Sequence, residues 1–135
     1  MSFSPALQIE TVLTPSRKCI LVVEDEFLIR CALSDGLRDA GYQVIEACSG
    51  DEAADILASL LPDLIISDVR MPGSQDGITL LALVRERFPT LPVIIVSGHL
   101  RPSDALADVA TRFLAKPYAI EAMIEAVEVE IGMPR

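Results

Sequence analysis

The stretch CILVVEDE at residues 19–26 decides the fold, because it joins a short apolar run directly to a cluster of acidic residues. The run Cys19–Val23 consists mainly of branched aliphatic residues, which favour a strand that is buried on both faces of a sheet. Similar apolar runs recur along the chain at Gln43–Ala47, Leu64–Ser67, Val93–Ser97 and Arg112–Ala115. Strands of this kind are typical of a parallel sheet that is covered by helices on both sides.

Amphipathic stretches between these runs predict the helices. The first helix covers Phe27–Ala40 and stops at Gly41, and the second follows the N-cap Ser49 and runs to about Leu60. Three further helices are predicted over Gly77–Phe88, over the short and weakly patterned segment Arg101–Thr111, and over Ile120–Ile131. Strands that alternate with helices in this way predict a three-layer α/β fold with one parallel sheet.

The composition limits the classes of function. The 135 residues suit a single domain, and a 51% hydrophobic content supplies enough apolar material for its core. A net charge of −9 and a pI near 4.4 disfavour binding to nucleic acid or to an anionic membrane surface. No apolar run is long enough to span a membrane, and the segment Met1–Ser16 lacks the features of a secretion signal. Cys19, Cys31 and Cys48 have no metal-binding spacing, which predicts buried thiols in a reducing cytoplasm.

Charged and hydroxyl side chains follow four of the five predicted strands. They are Glu24, Asp25 and Glu26 after the first strand, Asp68 after the third, Ser97 after the fourth and Lys116 after the fifth. Each has an ordinary explanation when taken alone, such as a helix start or a turn. Together they would meet at one edge of the sheet, where crowded carboxylates repel one another. A lysine and a hard cation with oxygen ligands, such as Mg²⁺, would relieve that repulsion.

Four segments together resemble the receiver domain of bacterial two-component response regulators. They are VVEDE at residues 22–26, DVRMP at 68–72, SG at 97–98 and FLAKP at 113–117. The resemblance extends from about Lys18 to Ile131 and implies the flavodoxin-like strand order 2-1-3-4-5. It also implies that Asp68 is a phosphoacceptor, supplied by a phosphohistidine on a histidine kinase or a histidine phosphotransfer protein.

The same resemblance implies roles for the residues around Asp68. Glu24 and Asp25 would hold Mg²⁺ together with Asp68, and the backbone carbonyl of Arg70 would complete the protein's share of the metal ligands. Lys116 would form an ion pair with the phosphoryl group.

A conformational switch is implied as well. Ser97 would form a hydrogen bond with the phosphoryl group, and Phe113 would be the aromatic residue that reorients when the hydroxyl moves. The family's Lys-Pro peptide is typically cis, which makes the peptide between Lys116 and Pro117 a candidate for that geometry.

Three features depart from the commonest pattern of this family. The loop from Pro72 to Gly77 is one residue longer, so a bulge is expected there. The interval between the fourth and fifth strands is shorter, which again predicts a short or irregular fourth helix. The two positions that tune phosphoryl hydrolysis carry Arg70 and His99. Arg70 either reaches over the phosphoryl group or stays solvated, and His99 is expected to be a half-exposed loop residue.

Residues 1–16 are expected to form a flexible lead-in, and residues 17–135 are expected to form the receiver domain. Since no output domain is evident, the expected function is that of a stand-alone cytoplasmic receiver that signals through contact with an unknown downstream protein. Such a protein catalyses only its own phosphorylation and dephosphorylation. Two alternatives stay open: a receiver excised from a larger regulator or hybrid kinase, and an adaptor receiver that is not phosphorylated.

Two other classes of protein fit the sequence less well. A flavodoxin-like FMN or nucleotide binder needs an uncharged phosphate loop after the first strand, where this chain has acidic residues. A phosphatase of the haloacid dehalogenase type needs a second aspartate two residues after its nucleophile, where this chain has Arg70.

Overall fold

The computed structural model describes residues 17–69, 77–98 and 110–135. Within these ranges the strands are β1 (Cys19–Val23), β2 (Gln43–Ala47), β3 (Leu64–Asp68), β4 (Val93–Ser97) and β5 (Arg112–Ala115). The helices are α1 (Phe27–Asp39), α2 (Gly50–Leu57), α3 (Gly77–Arg87) and α4 (Ile120–Ile131). The strands form one parallel sheet in the order β2-β1-β3-β4-β5, which confirms the predicted fold class and strand order.

Alternate residues of the strands build a separate core on each face of the sheet. Leu21, Ile65 and Ile95 pack under α2 and α3, while their neighbours Ile20 and Ile66 pack under α1 and α4. All of these side chains are almost completely buried. Burial on both faces explains why the strands lack the alternation of apolar and polar residues that a one-sided sheet shows.

Two glycines allow the chain to pack closely around α1. Gly36 lies against α4, where an added Cβ would come within 2.6 Å of the Ile120 side chain. Gly41 follows α1 with a φ of +109°, a conformation that L-residues with side chains rarely adopt. It turns the chain into β2, as its position at the end of the predicted helix indicates.

The ends of the elements differ slightly from the predicted ones. The helix α2 begins as expected, with the Ser49 hydroxyl accepting a hydrogen bond from the Glu52 amide at 3.1 Å. It ends at Leu57 instead of about Leu60, because the chain then continues into turns and reaches Pro62. The strand β3 is one residue longer than predicted and includes Asp68, which pairs with Val96.

The expectation of buried thiols is correct for only one of the cysteines. All three are free; Cys19 is buried inside β1, but Cys31 is half-buried and Cys48 is exposed. Cys48 follows the last residue of β2 and therefore lies beyond the helices that cover the sheet. An apolar residue type does not by itself indicate burial at such a position.

Several predictions concern residues outside the described ranges: the lead-in 1–16, Arg70, the loop that follows it, His99 and most of the predicted helix Arg101–Thr111. Its last two residues, Ala110 and Thr111, are described and are not helical. Among the helices of the described ranges, none is long and apolar enough to cross a membrane.

Candidate functional site

Three carboxylates meet at the carboxyl edge of the sheet. Glu24 follows β1 and is only 4% exposed, Asp25 is the next residue, and Asp68 ends the neighbouring strand β3. One oxygen atom from each of the three lies within 4.8 Å of the others. A cluster of oxygen atoms with a buried member suits a hard divalent cation such as Mg²⁺. The structure thus brings together the side chains that the sequence predicts as metal ligands.

Lys116 connects two of these carboxylates. Its Nζ atom lies 3.1 Å from Glu24 Oε1 and 2.5 Å from Asp68 Oδ2. Its backbone amide donates to the Ser97 carbonyl at 2.9 Å, which ties the loop after β5 to the end of β4. The following peptide, between Lys116 and Pro117, is cis as predicted. Hydrogen bonds from both its backbone and its side chain therefore hold Lys116 between Glu24 and Asp68.

The charges of this cluster affect one another. Burial raises the pKa of Glu24, and a hydrogen bond with Asp25 raises it further, although Lys116 acts in the opposite direction. Burial lowers the pKa of Lys116, but the hydrogen bonds to Asp68 and Glu24 outweigh it, so the pKa lies above its ordinary value. An ammonium that stays charged beside acidic groups can neutralise further negative charge at this edge.

The backbone before α1 is also fixed. The Glu26 amide donates to Glu24 Oε2 at 3.2 Å, and the Glu24 amide donates to the Ala47 carbonyl of β2 at 3.0 Å. Arg30 Nη1 donates to the Glu24 carbonyl at 2.8 Å. Sequence reasoning missed Arg30, because nothing in the pattern of α1 distinguishes an arginine that contacts the preceding loop from a solvated one.

Ser97 and Phe113 lie on neighbouring strands beside the cluster. Ser97 ends β4 and pairs with Ala115, and Phe113 pairs with Ile95, two residues before Ser97. Since side chains alternate along a strand, Ser97 and Ile95 point to the same side of the sheet. Phe113 packs, partly buried, against the core on the side that contains Ile95. The placement suits the predicted switch, whose movement stays a prediction.

Beside Lys116, a groove of about 570 Å³ opens between α1 and the loop before α4. Its walls include Ile29 and Leu33 of α1 together with Pro117, Tyr118 and Ile120. Burial raises the pKa of the Tyr118 hydroxyl above its ordinary value, with smaller contributions from the nearby charges. The groove thus places a largely apolar surface next to the charged cluster.

The fold and this cluster define a class of α/β proteins in which acidic residues and a lysine meet at the carboxyl edge of a parallel sheet. Residues 20–128 match the family model of the response regulator receiver domain. The chain belongs to this family, which is the receiver domain of two-component response regulators.

Individual relatives agree with that assignment. The response regulator protein FleR of Pseudomonas aeruginosa is 38% identical over 111 residues, which cover 80% of this chain and 23% of FleR. The chain thus spans about a quarter of the length of this curated relative.

Solved structures of isolated receivers are similar in fold. The receiver domain of NtrX from Brucella abortus superposes with a TM-score of 0.78 at 31% identity, covering 83% of this chain and 97% of that domain. The chemotaxis protein CheY4 of Vibrio cholerae has a TM-score of 0.78 at 30% identity, covering 84% of this chain and 98% of CheY4.

Proposed function

We propose that this protein is a phosphoacceptor receiver, in which Asp68 takes a phosphoryl group from a phosphohistidine on a histidine kinase or a histidine phosphotransfer protein. The observation that carries the proposal is the position of Lys116 Nζ between Glu24 and Asp68, within a cluster of three carboxylates. Mg²⁺ bound by Glu24, Asp25 and Asp68 would offset the negative charge of the incoming phosphoryl group.

The chemistry follows from the residues at the edge of the sheet. A carboxylate oxygen of Asp68 attacks phosphorus, an Asp68 O–P bond forms, and the P–N bond to the donor imidazole breaks. Lys116 stabilises the charge on the phosphoryl oxygens, since its ammonium already contacts Asp68. Ser97 would donate a hydrogen bond to the same oxygens and so link phosphorylation to Phe113. Arg70, whose backbone carbonyl is proposed as a further Mg²⁺ ligand, lies outside the described ranges.

A protein donor fits the surface beside the cluster. Phe27 and Leu28 begin α1 directly after the acidic residues, and they are 65% and 79% exposed. Exposed apolar side chains next to a reactive group are typical of a surface that contacts another protein. Together with the groove beside Lys116, they offer such a protein a contact close to Asp68.

We further propose that the receiver comprises residues 17–135, acts in the cytoplasm and signals by contact with a downstream protein. In this proposal it is not an enzyme toward other substrates. A receiver that is part of a larger regulator or hybrid kinase is the alternative, since curated relatives such as FleR are far longer than this chain.

Phosphorylation with a small phosphodonor tests the proposal directly. Intact-mass spectrometry of the protein with phosphoramidate and Mg²⁺ should show one added phosphoryl group, and a chelator should prevent it. Asp68→Asn should abolish the addition, because an amide is a poor nucleophile.

Asp63→Asn is the matched control for that variant. Asp63 precedes β3 at the other end of the same strand, where its Oδ2 accepts a hydrogen bond from the Cys19 amide at 2.7 Å. An asparagine oxygen can accept the same bond, so this variant should be phosphorylated normally. Continued labelling of Asp68→Asn would place the acceptor elsewhere, and a wild type without any Mg²⁺-dependent labelling would contradict the proposal as a whole.

A further inference from the structure

We propose that Arg30 is a positioning residue for the acidic cluster: it fixes the peptide between Glu24 and Asp25 and thereby sets the directions of both carboxylates. The inference rests on the proposed function, because it concerns how well these two side chains bind Mg²⁺ with Asp68. Among the described residues, Arg30 contacts none of the three carboxylates of the cluster; its role is exerted through the Glu24 backbone.

Several contacts hold the Arg30 side chain in one place. Nη1 donates to the Glu24 carbonyl at 2.8 Å, and Nε lies 3.5 Å from Glu46 Oε1 on β2. The guanidinium carbon also lies 5.5 Å from the centre of the Phe27 ring. The side chain is only 15% exposed. A planar group with contacts on several sides keeps a fixed orientation and can therefore act as a rigid support.

With the bond from Arg30, both backbone polar groups of Glu24 are hydrogen-bonded. The Glu24 amide is already bonded to the Ala47 carbonyl of β2, so Arg30 holds the remaining backbone polar group of the residue. Because the carbonyl of Glu24 and the amide of Asp25 belong to one planar peptide, fixing that carbonyl also fixes the start of Asp25. The like charges of the cluster would otherwise favour turning one carboxylate away.

Lysine is not an equivalent of arginine at this position. The contacts to Glu24 and Glu46 come from different nitrogen atoms of one guanidinium fork. A lysine ammonium is a single point charge, so it cannot reproduce the fixed spacing of that fork. The variant Arg30→Lys therefore keeps the charge of the residue and removes the positioning.

Arg38 is a natural control on the same helix. It also pairs with Glu46, with Nη2 3.3 Å from Oε2, and it donates to the Val44 carbonyl at 3.1 Å. Within the described ranges, its side-chain hydrogen bonds and ion pairs lie on β2 and α1 and do not include Glu24. Arg38→Gln thus removes the same charge and a contact to the same glutamate, but leaves the backbone of the cluster in place.

Titration of the protein with Mg²⁺ alone, measured by calorimetry, tests the inference. We expect the Kd of Arg30→Gln and Arg30→Lys to rise about tenfold, as for other residues that orient metal ligands, and the Kd of Arg38→Gln to stay within about twofold of wild type. In metal-free protein, the amide NMR signal of Asp25 should shift in both Arg30 variants but not in Arg38→Gln. At saturating Mg²⁺, the phosphorylation rate with phosphoramidate should return to within about twofold of wild type.

The outcomes separate this inference from the proposed function. If Arg30→Lys binds Mg²⁺ like wild type, the positioning role is wrong while the proposed function stands. If Arg38→Gln weakens binding as much as Arg30→Gln does, the effect comes from lost charge and the inference is overturned. A wild-type protein that neither binds Mg²⁺ nor accepts a phosphoryl group contradicts the proposed function, and the inference with it.

Discussion

The two edges of the sheet satisfy their polar groups in opposite ways. At the amino edge, the Lys18 amide donates to the Pro134 carbonyl at 2.7 Å and the Tyr42 hydroxyl donates to the Gly132 carbonyl at 2.7 Å. At the carboxyl edge, Lys116 faces Glu24, Asp68 and the adjacent Asp25. These two bonds at the amino edge are made to backbone carbonyls, whereas the cluster at the carboxyl edge has more negative than positive charge.

This difference indicates that the amino edge stabilises the fold, whereas the carboxyl edge is suited to binding a cation. At the amino edge, hydrogen bonds from Lys18 and Tyr42 join the residues before β1 and β2 to the residues after α4. The carboxyl edge contains carboxylates that repel one another, and a bound cation would reduce that repulsion. Removing a residue from the amino edge should cost stability alone, whereas changes at the carboxyl edge should depend on Mg²⁺.

Lys116→Met should have the largest effect on stability. Without the ammonium, buried Glu24 and its neighbour Asp68 lose their shared partner, so we expect the free energy of unfolding at neutral pH in a chelator to fall by about 2 kcal/mol. Mg²⁺ should restore part of the loss, because a bound cation replaces some of the missing positive charge. Urea unfolding with and without Mg²⁺ measures both quantities.

Lys18→Met gives the matched comparison at the amino edge. It removes the same charge and a hydrogen bond from Lys18 Nζ to the Ile131 carbonyl. We expect a loss of about 1 kcal/mol that Mg²⁺ does not change. Equal losses in both lysine variants, with the same response to Mg²⁺, would remove the distinction between the two edges.

Tyr42→Phe should have a smaller effect on stability than Lys116→Met and should leave Mg²⁺ binding unchanged. The Tyr42 ring is buried, and loss of its hydrogen bond to the Gly132 carbonyl should cost about 1 kcal/mol. Burial raises the pKa of Tyr42 above its ordinary value of 10.0, and Glu128 adds to this effect.

The pH dependence of that variant gives a second measurement. Above pH 10 the unfolded chain loses the Tyr42 proton before the folded protein does, so the wild type loses stability as the pH rises through the folded pKa. The phenylalanine has no such proton, so the difference in free energy of unfolding between the wild type and Tyr42→Phe should become smaller above pH 10. A stability difference that stays constant with pH would contradict the raised pKa of Tyr42. A changed Kd for Mg²⁺ would contradict the assignment of Tyr42 to stability alone.

The strands and the members of the cluster could be predicted because local patterns specify them. Apolar runs mark buried strands, and the carboxyl ends of parallel strands meet at one edge, so Asp68 and Lys116 were placed together from the sequence. The interactions of the amino edge were not predicted. The bond between Lys18 and Pro134 joins residues at opposite ends of the described chain and depends on how α4 packs.

The contact of Arg30 with the Glu24 carbonyl was missed for a related reason. A sequence pattern places Arg30 in the first turn of α1, but the direction of its side chain depends on Glu46 of the neighbouring strand β2. Packing between elements also decides the exposure of Cys48. Local periodicity therefore predicts which residues reach an edge, whereas contacts between distant segments decide how they are held.

Asp25→Ala should have the smallest effect on the stability of the metal-free protein. Unlike the variants at Lys116, Lys18 and Tyr42, it should raise stability. Removing one of the crowded carboxylates should raise the free energy of unfolding by about 0.5 kcal/mol at neutral pH. Asp35→Ala is the control, since Asp35 is a largely exposed carboxylate on α1 and should have no measurable effect. Urea unfolding of the three proteins in a chelator measures the differences.

Two changes of condition sharpen this prediction. Burial, and then the hydrogen bond with Asp25, raise the pKa of Glu24 above its ordinary value of 4.5, so the unfolded chain releases this proton first and the wild type loses stability as the pH rises through the folded pKa. Asp25→Ala lacks one cause of that shift, so the amount by which its free energy of unfolding exceeds that of the wild type should grow with pH over this window.

Mg²⁺ at about 100 times its Kd should stabilise the wild type by about 2.7 kcal/mol but should not stabilise Asp25→Ala, so the wild type becomes the more stable protein. If the variant stays more stable than the wild type in saturating Mg²⁺, Asp25 is not a ligand and the charge at the carboxyl edge serves another purpose.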